Sequence, residues 1–295
     1  MNGAADIATK HVIVTGANGQ LGQELQQYGH KLPGFEFHFF SKLEMDISNT
    51  VQTEKIFQQI KPAYCINCAA YTAVDKAETE KELAFLINSQ AAANIAASCI
   101  AHHTRLVHIS TDYVFDGKHD HPYDEETAVN PQTIYGASKA EGEERIMRSG
   151  ADAIIIRTSW LYSTYGNNFV KTMLRLMDER TEIRVVNDQV GCPTYAADLA
   201  TAIIGILGAG EEERWENGIY HYSNSGVASW YEFAVAIKEF AGKNCEILPI
   251  TTAGYPTKAK RPAYSVLSTQ KIVETFGVYV GNWRLSLEKC IGAMS

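Results

Sequence analysis

Two residues one helical turn apart, Tyr135 and Lys139, have the types and spacing required for proton transfer. They belong to the segment YGASK, and positions i and i+4 share one face of a helix. A free phenol is a poor proton donor at neutral pH, and a nearby ammonium favours its ionised form. We predict that Lys139 lowers the pKa of Tyr135, which then protonates a carbonyl oxygen as hydride reaches the carbon. An ordinary surface pair is the alternative.

A hydroxyl at the end of a predicted strand supplies a partner for this pair. Residues 106–110 (LVHIS) are typical of a buried strand, and Thr111 follows them directly. Ligands of parallel sheets bind in the crevice at the carboxyl ends of the strands. Thr111 is therefore expected to bind a substrate oxygen and hold it against Tyr135. The alternative is a Ser/Thr turn that leads into the following loop.

A glycine-rich turn is the third feature with possible chemistry. Residues 16–22 read GANGQLG, directly after a predicted strand and at the start of a predicted helix. Gly16 and Gly19 permit a tight turn whose backbone N–H groups approach a pyrophosphate, and Gly22 lets the helix pack on the strand. The strand–turn–helix context predicts a dinucleotide site, with an ordinary turn as the alternative.

The end of the second strand bears on the identity of that dinucleotide. An acidic residue there would bind the ribose hydroxyls of NAD, but Ser41 and Lys42 occupy the place. A hydroxyl and a cation suit a 2′-phosphate better, so NADPH is favoured and NADH is the alternative. A solvated loop is the plain interpretation of Lys42. Asp46 either accepts from the adenine amino group or caps the next helix.

The elements that must position these residues alternate along the first half of the chain. We predict strands at 11–15, 36–40, 64–68, 106–110 and 153–158, and helices at 20–28, 51–60, 81–102 and 137–147. This alternation indicates an α/β fold, a Rossmann-type doubly wound parallel sheet. Helices predicted at 168–177, 197–207 and 230–240 suggest a smaller, interleaved C-terminal substrate lobe. The predicted division is 1–165 and 184–220 for the dinucleotide-binding domain, and 166–183 and 221–295 for the lobe.

Composition narrows the class of protein. The 295 residues are 45% hydrophobic and 20% charged, with a net charge of −8 and no basic tract, so no nucleic-acid partner is expected. Residues 1–9 lack the order of a signal peptide, and no apolar run reaches spanning length, so no membrane partner is expected. The six cysteines, including the C-x-x-C pair Cys65 and Cys68, are interpreted as reduced and mostly buried, which indicates a cytoplasmic protein.

Taken together, the motifs run nearly end to end and resemble those of the extended short-chain dehydrogenase/reductases. Within that superfamily the chain is similar to the dTDP-4-dehydrorhamnose reductases. The similar segments are TGANGQLG (15–22), NCAAYTAVDKAE (67–78), STDYVFDG (110–117), NPQTIYGASKAEGE (130–143), RTSWLY (157–162), GNNFVKTMLRL (166–176), NDQVGCPT (187–194) and KRPAYS (260–265).

The resemblance implies NADPH-dependent reduction of the C4 keto group of dTDP-4-dehydro-L-rhamnose to dTDP-L-rhamnose. Thr111, Tyr135 and Lys139 would be the catalytic residues, with Lys139 also on the nicotinamide ribose. The implied cofactor contacts, beyond Ser41 and Lys42, are Gly16, Asn18, Gly19, Gln20, Leu21, Gly22, Asp46, Ile47, Ala69, Ala70, Tyr71 and Asn88. The implied substrate contacts are Asp112, Tyr113, Val114, Trp160, Asn168 and Arg261. Trp160 as a core residue and Arg261 as a surface residue are the alternatives, and His221 is interpreted as a packed histidine.

Some members of this group hold magnesium at a dimer contact. Glu24 occupies the place of one acidic ligand, but Ala197 stands where a second carboxylate is expected, with Asp198 next to it. We therefore predict no metal, while the resemblance leaves magnesium open. The expected partner is a nucleotide-sugar substrate, and the resemblance allows a homodimer without requiring one.

Two other functions fit the same motifs. The first is a related nucleotide-sugar enzyme, an epimerase or a dehydratase. Dehydratases typically place Glu after the Asp of the strand-end motif, whereas this chain has Tyr113. The second is a non-catalytic subunit like the regulatory β subunit of methionine adenosyltransferase, because a fold and its motifs can outlive their function.

Overall fold

The computed structural model describes residues 9–211 and 214–294, so the interpretation of residues 1–8 as lacking a signal peptide lies outside the described residues. The strands are β1 (Lys10–Thr15), β2 (Phe35–Phe40), β3 (Tyr64–Asn67), β4 (Arg105–Thr111), β5 (Ala153–Thr158), β6 (Leu161–Tyr162), β7 (Glu182–Val186), β8 (Val190–Gly191), β9 (Thr194–Tyr195), β10 (Gly218–His221), β11 (Ala228–Ser229), β12 (Glu246–Ile250) and β13 (Tyr264–Ser265). The helices are α1 (Gln20–Tyr28), α2 (Thr50–Ile60), α3 (Val74–Ala77), α4 (Lys81–Phe85), α5 (Ala91–Ala101), α6 (Ile134–Ser149), α7 (Phe169–Glu179), α8 (Ala196–Glu211), α9 (Trp230–Phe240), α10 (Gln270–Phe276) and α11 (Trp283–Gly292).

A six-stranded parallel sheet forms the centre of the fold. Its strand order is β10-β5-β4-β3-β1-β2, and every neighbouring pair runs parallel. The chain leaves β1 for β2 on one side and then returns for β3 on the other side. The point between β1 and β3 is therefore the topological switch point, where such sheets bind ligands. The predicted Rossmann-type doubly wound fold is confirmed.

Alternating side chains of the strands face two helical layers. Val12 and Val14 of β1 face a core that α1 and α8 complete, whereas Ile13 faces the opposite core with α2 and α5. This alternation is the expected period of two for a strand covered on both faces. The carboxyl ends of the parallel strands lie at one edge of the sheet, and the site opens at that edge.

A second hydrophobic core belongs to the later part of the chain. Helices α7, α9 and α11 enclose Val170, Phe233, Ile237 and Leu287 beside the two-stranded sheet β7–β12. The lobe is interleaved with the sheet, because α8 and β10 return to the sheet domain. The exact division into 1–165 with 184–220 and 166–183 with 221–295 stays a prediction. Helix α10, which it assigns to the lobe, packs Ile272 and Phe276 into the core around the sheet.

Local capping explains several helix starts. Ser229 begins α9 with a capping box to Glu232, and Asn49 begins α2 by accepting from the backbone of Gln52. Helix α6 begins three residues before the predicted position, because Thr133 accepts from the backbone N–H of Gly136.

The long helical stretch after residue 80 consists of α4, a π-helical segment (Leu86–Gln90) and α5. Residues 81–101 have the length and the mean hydropathy, 1.4, of a membrane span, contrary to our expectation that no run reaches that length. Half of the apolar stretch is buried within the fold. The six cysteines are free thiols, as predicted, and all except the half-buried Cys68 are buried.

Candidate functional site

A cleft of about 800 Å³ opens at the carboxyl ends of β1, β3, β4 and β5. It brings together the glycine turn, the end of β4 and the first turns of α6. The predicted residues that line it are Gly16, Asn18, Gly19, Gln20, Leu21, Gly22, Lys42, Asp46, Ile47, Ala69, Ala70, Tyr71, Thr111, Asp112, Tyr113, Tyr135, Lys139 and Trp160. Three motifs far apart in sequence therefore share one concave site, as ligand sites of this topology do.

The glycine turn is built for close approach of a ligand to the backbone. Gly16 has φ +68°, and a side chain there would place its Cβ 2.7 Å from the backbone nitrogen of Ala69. A Cβ on Gly22 would collide with the carbonyl oxygen of Gly16. Helix α1 starts at this turn without a side-chain cap. No capping side chain therefore occupies the N–H groups of its first turn, which remain able to bind a ligand in the cleft. This arrangement fits a dinucleotide pyrophosphate.

Tyr135 lies in the first turn of α6, next to the end of β4. It belongs with Thr111 and Asp112 to one buried chain of hydrogen bonds. The phenol bonds to the hydroxyl of Thr111, whose Oγ1 donates in turn to Asp112 Oδ1 at 2.9 Å. Burial raises the pKa of Tyr135, the nearby Asp112 raises it further, and the hydrogen bond with Thr111 acts in the opposite direction. Our prediction of a lowered pKa for this tyrosine is wrong, and Tyr135 holds its proton at neutral pH.

Asp112 is a second titratable group in this chain of hydrogen bonds. Burial raises the pKa of its carboxyl to about 7, although the hydrogen bond from Thr111 favours the ionised form. Its other oxygen, Oδ2, is buried and forms no hydrogen bond of normal geometry within the described part of the chain, although the Ser265 hydroxyl also favours the ionised carboxyl. A carboxyl group that titrates near neutrality thus sits one hydroxyl away from the candidate proton donor.

Lys139 lies one turn along α6, and it is only 1% exposed. Its Nζ donates to the carbonyl oxygen of Ile109 at 2.6 Å and lies 3.2 Å from His108 Nε2. Burial lowers the pKa of Lys139 to about 8, against the attraction of Glu143. Burial and the nearby Lys139 also lower the pKa of His108 well below its ordinary value, so this imidazole is neutral.

The contacts of Lys139 continue towards the glycine turn. His108 Nδ1 lies 3.1 Å from Asn67 Nδ2, and Asn67 Oδ1 accepts from the hydroxyl of Thr15 at 2.6 Å. Thr15 is the last residue of β1 before Gly16. A buried polar chain thus joins the candidate catalytic lysine to the strand that carries the glycine turn. Neither His108 nor Asn67 was identified from the sequence, although both lie in strands that end at the cleft.

Of the residues predicted at the adenosine end, Lys42 and Asp46 line the cleft and Ser41 does not. The N–H and hydroxyl of Ser41 both donate to Glu44 Oε2. Asp46 lines the cleft and accepts from the N–H and hydroxyl of Ser48, which lowers the pKa of its carboxyl. Asp46 is not the helix cap, since Asn49 has that role.

Three predicted contacts lie behind the walls of the cleft. Asn88 is buried and holds the backbone of Tyr71 through both of its side-chain polar atoms, so it positions a wall residue. Val114 is fully buried with Phe115 and Tyr123. Asn168 caps α7 instead of facing a diphosphate, and its amide donates to Gln20. None of these three side chains lines the cleft, and their assignment as direct ligand contacts stays a prediction.

Trp160 lines the cleft in a strained backbone conformation. Its φ of +47° is rare for a bulky residue, and strain of this kind concentrates at functional sites. The indole stacks on Trp230, with ring centroids 3.5 Å apart and an interplanar angle of 6°. One face is therefore packed against the lobe, while the residue remains part of the cleft wall.

Arg261 lies outside the main cleft, in an adjoining pocket of about 310 Å³. Its guanidinium donates to Asp75 Oδ2 at 2.6 Å and to the hydroxyl of Tyr113 at 3.0 Å. Tyr113 lines both cavities, and its ring packs edge-on against Tyr135 with centroids 5.5 Å apart. Arg261 is thus connected to the proton donor through one tyrosine, and Asp75, which was not predicted from the sequence, positions Arg261 from outside the lining of both cavities.

Other lining residues were also missed. They are Met45, Cys68, Thr72, Val74, Leu83, Ile87, Ile109, Ser110, Thr158, Ser159, Leu161, Gly166 and Asn167. Several stand next to predicted residues at strand ends, which is the signal that would have identified them. Leu83 and Ile87 lie in the stretch 81–102, which was predicted as helical and in which only Asn88 was assigned to the site.

The acidic residues at the expected magnesium position form hydrogen bonds within the chain, and the absence of a metal stays a prediction. Glu24 is buried and accepts from the hydroxyl of Ser163 at 2.6 Å, and burial raises the pKa of its carboxyl. Asp198 Oδ2 accepts from Asn224 at 2.7 Å and from the hydroxyl of Ser286. Ala197 contributes no ligand atom. Both carboxylates are thus bonded to donors within the chain.

Comparison with known proteins agrees with this geometry. The family model described as RmlD substrate binding domain matches residues 10–295. The spore coat polysaccharide biosynthesis protein SpsK of Bacillus subtilis is 45% identical, over 94% of this chain and 95% of that protein. The dTDP-4-dehydrorhamnose reductase of Aggregatibacter actinomycetemcomitans is 42% identical, over 94% and 97%. The crystal structure of the Bacillus anthracis dTDP-4-dehydrorhamnose reductase in complex with NADP superposes with a TM-score of 0.90 at 41% identity, over 97% of this chain and all of that one.

Proposed function

The chain belongs to the RmlD substrate binding domain family, and from that membership we propose that it is an NADPH-dependent reductase of dTDP-4-dehydro-L-rhamnose. The product is dTDP-L-rhamnose, formed by reduction of the C4 keto group. One observation carries this proposal: Tyr135, hydrogen-bonded to Thr111, faces the same cleft as the glycine turn. A proton donor and a dinucleotide site in one cleft are what carbonyl reduction requires.

Proton delivery follows from the hydrogen bonds of Tyr135. When bound, NADPH supplies hydride to C4 of the sugar. The hydroxyl of Thr111 holds the carbonyl oxygen beside the phenol, and Tyr135 transfers its proton to that oxygen as negative charge develops there. The carbonyl becomes an alcohol and the tyrosine a phenolate. Because its pKa is raised, Tyr135 is fully protonated before the reaction starts.

Lys139 supplies the positive charge that this phenolate needs. Its ammonium is held in the cleft wall by the carbonyl oxygen of Ile109, and we assign it to the nicotinamide ribose hydroxyls. Gly16, Gly19 and the start of α1 would hold the pyrophosphate, with Lys42 near the adenosine 2′-phosphate. A crystal structure of a relative with NADP supports this choice of cofactor.

The sugar is proposed to lie between Asp112, Tyr113 and Trp160, which share the wall of the cleft near Tyr135. Arg261 is proposed for the nucleotide diphosphate, because a guanidinium matches phosphate geometry and its pocket adjoins the cleft through Tyr113. We place the reaction in the cytoplasm, which the six free thiols favour. The homodimer, and the absence of nucleic-acid and membrane partners, stay predictions.

The decisive experiment follows NADPH oxidation with dTDP-4-dehydro-L-rhamnose for the wild type and for Tyr135→Phe. The substitution removes only the proton donor, so we expect kcat to fall by about 10²–10⁴-fold while NADPH binding is retained. Tyr231→Phe is the matched control, because Tyr231 lies on α9 outside the cleft lining, and it should keep full activity.

The same assay separates the reductase from the other functions. Full activity in Tyr135→Phe would contradict the assignment of the proton donor. Turnover of the sugar without stoichiometric consumption of NADPH would indicate an epimerase. Copurification with a catalytic partner, together with no NADPH oxidation, would indicate a regulatory subunit.

A further inference from the structure

We infer that His11, Glu36 and His38 form a zinc site at the end of the sheet opposite the cleft. His11 Nδ1 lies 3.0 Å from His38 Nε2 and 3.6 Å from Glu36 Oε2. His38 Nε2 lies 3.8 Å from Glu36 Oε1. Two imidazole nitrogens and a carboxylate thus converge on one point, and none of the three residues lines the cleft.

The backbone fixes this convergence. Strands β1 and β2 are paired in parallel, with His11 opposite Glu36 and Ile13 opposite His38. Glu36 and His38 are two residues apart in one strand, so they point to the same face. His38 is the diagonal neighbour of His11, at a separation that long side chains span. The arrangement therefore needs no loop to hold it.

The spacing of the donor atoms matches tetrahedral zinc. Zn–N distances of about 2.0–2.1 Å place two ligand atoms of a tetrahedron about 3.3–3.4 Å apart. The two nitrogens lie 3.0 Å apart, and the separations of 3.6 and 3.8 Å from the carboxylate belong to different oxygens of Glu36. With one ligand atom per residue, the three atoms lie within 4.8 Å of one another. Rotation of the exposed Glu36 carboxylate, with small shifts of the two rings, would bring one oxygen and both nitrogens to bonding distance.

The chemistry of the donor set points to the same ion. Two neutral imidazoles and one carboxylate form a recognised zinc donor set that leaves a fourth position for water. One imidazole now donates its N–H to the other, and a tautomer change would move that proton to the second ring nitrogen. The side chains are 35% (His11), 26% (His38) and 58% (Glu36) exposed, so an ion reaches them from solvent.

The position in the fold assigns a structural role to the ion. His11 is four residues before Thr15, so the site lies about 13 Å along the strand from the glycine turn. Strand β2 is the last in the sheet and pairs only with β1 within the described residues. Zinc bound here would tie the edge strand to its neighbour and stabilise the folded chain, without touching the reacting atoms.

The test uses the untagged full chain, freed of metal with a chelator, and Zn²⁺ alone as titrant in calorimetry. We expect one Zn²⁺ per chain and a rise in Tm with Zn²⁺ concentration. Replacing one ligand in His38→Gln should weaken binding by at least about 100-fold, since even outer-shell changes cost 10–100-fold. His11→Gln and Glu36→Gln should also weaken it. The ligands are partly exposed, so these variants should fold and keep the NADPH oxidation rate.

His121→Gln is the matched control, because His121 forms an exposed pair with Asp120 at 2.8 Å outside this cluster. It should bind Zn²⁺ like the wild type. Substitution with Co²⁺ should give the strong visible bands of a four-coordinate site and no thiolate charge-transfer band. Absence of saturable Zn²⁺ binding, equal affinity in His38→Gln, or a thiolate band would overturn the proposal. None of these outcomes depends on whether the chain is a reductase.

Discussion

Two clusters of buried charge lie one turn apart on α6, and they differ in how their charges are paired. Arg157 donates to both oxygens of Glu143, with Nη2 at 2.7 Å from Oε2, and the two side chains are only 3% and 4% exposed. Lys139, four residues before Glu143, has no carboxylate within ion-pair distance among the described residues. The Glu143 cluster is closed by protein on every side, whereas Lys139 opens on the cleft.

The difference distinguishes a structural ion pair from charged groups that can take part in proton transfer. Glu143 also accepts from the hydroxyl of Ser110, so both of its oxygens are occupied. Arg157 lies 3.4 Å from His221 and packs over the ring of Phe115. By contrast, the pKa values of Lys139 and Asp112 are shifted towards neutrality by burial. Fully paired charges hold β4, β5 and α6 together, and incompletely paired charges remain available for proton transfer.

The largest effect on stability is expected for Arg157→Met. It leaves Glu143 buried without its counter-charge, which costs about 3–5 kcal/mol of unfolding free energy. Urea unfolding measures this loss as a lower midpoint with an unchanged slope. Because Arg157 does not line the cleft, we expect the folded fraction of the variant to retain substrate turnover.

The double variant Glu143→Leu with Arg157→Met is the control. Removing both charges together should recover most of the lost stability, because no unpaired ion remains. If the double variant is as unstable as Arg157→Met alone, packing around Arg157 and not its charge explains the effect. The contrast between the two clusters would then be wrong.

Several elements, in the sheet domain and in the lobe, were predictable because their local and tertiary signals agree. Residues 20–28, 153–158 and 230–240 match α1, β5 and α9 at both ends. Ser229 shows the reason, since its cap and the apolar period of α9 point to the same start. The pairing of β7 with β12 was not predicted, because some 60 residues separate strands whose pattern is short and partly exposed.

The motifs that form the site were predictable from the sequence, but the side chains that line it were less so. Thr111, Tyr135 and the glycines stand where strand ends and helix starts must meet, so topology brings them together. Asn88, Val114 and Asn168 stand in the same motifs, but their side chains point into the fold. Motif membership does not determine that direction. The direction of the pKa shift of Tyr135 could not be predicted from the sequence either, because it depends on burial in the packed structure.

The second-largest effect is expected on catalysis, for Lys139→Met. This substitution keeps the approximate length of the side chain and removes the charge. We expect kcat/KM for NADPH-dependent reduction to fall by about 100-fold, because the phenolate of Tyr135 loses its nearby cation. Steady-state kinetics with purified protein measures it. Unlike Arg157→Met, this variant should unfold at the same or a higher urea concentration at pH 7.

The pH dependence of that stability follows from the pKa of Lys139. Folding lowers it from 10.5 to about 8, so below pH 8 the folded chain bears the full cost of a buried ammonium. Between pH 8 and 10.5 the folded amine is neutral while the unfolded one is charged, and the cost disappears. The gain in Lys139→Met should therefore be largest below pH 8 and fade by about pH 10.5. A loss of stability at pH 7 would show that Lys139 is a paired structural charge.

The smallest effect is expected for Asp112→Asn, and it appears in the pH profile. In the wild type the carboxyl ionises near pH 7, and its charge raises the pKa of Tyr135. Proton transfer from the tyrosine therefore becomes harder as the pH rises through 7, so kcat/KM should fall there by a few-fold. In Asp112→Asn this step should be absent, leaving the decline above about pH 8 that follows loss of the Lys139 ammonium.

Stability gives an independent check on the same group. Folding raises the pKa of Asp112 from 3.8 to about 7, so its burial costs nothing below pH 3.8 and most above pH 7. Asp112→Asn should accordingly be more stable than the wild type at pH 8, with a gain that shrinks as the pH falls towards 4. Glu125→Gln is a suitable control, because this half-buried carboxyl lies outside the cleft lining and should leave the step in kcat/KM at pH 7 in place. A step near pH 7 that persists in Asp112→Asn would belong to another group, and Asp112 would then join Glu143 among the structural charges.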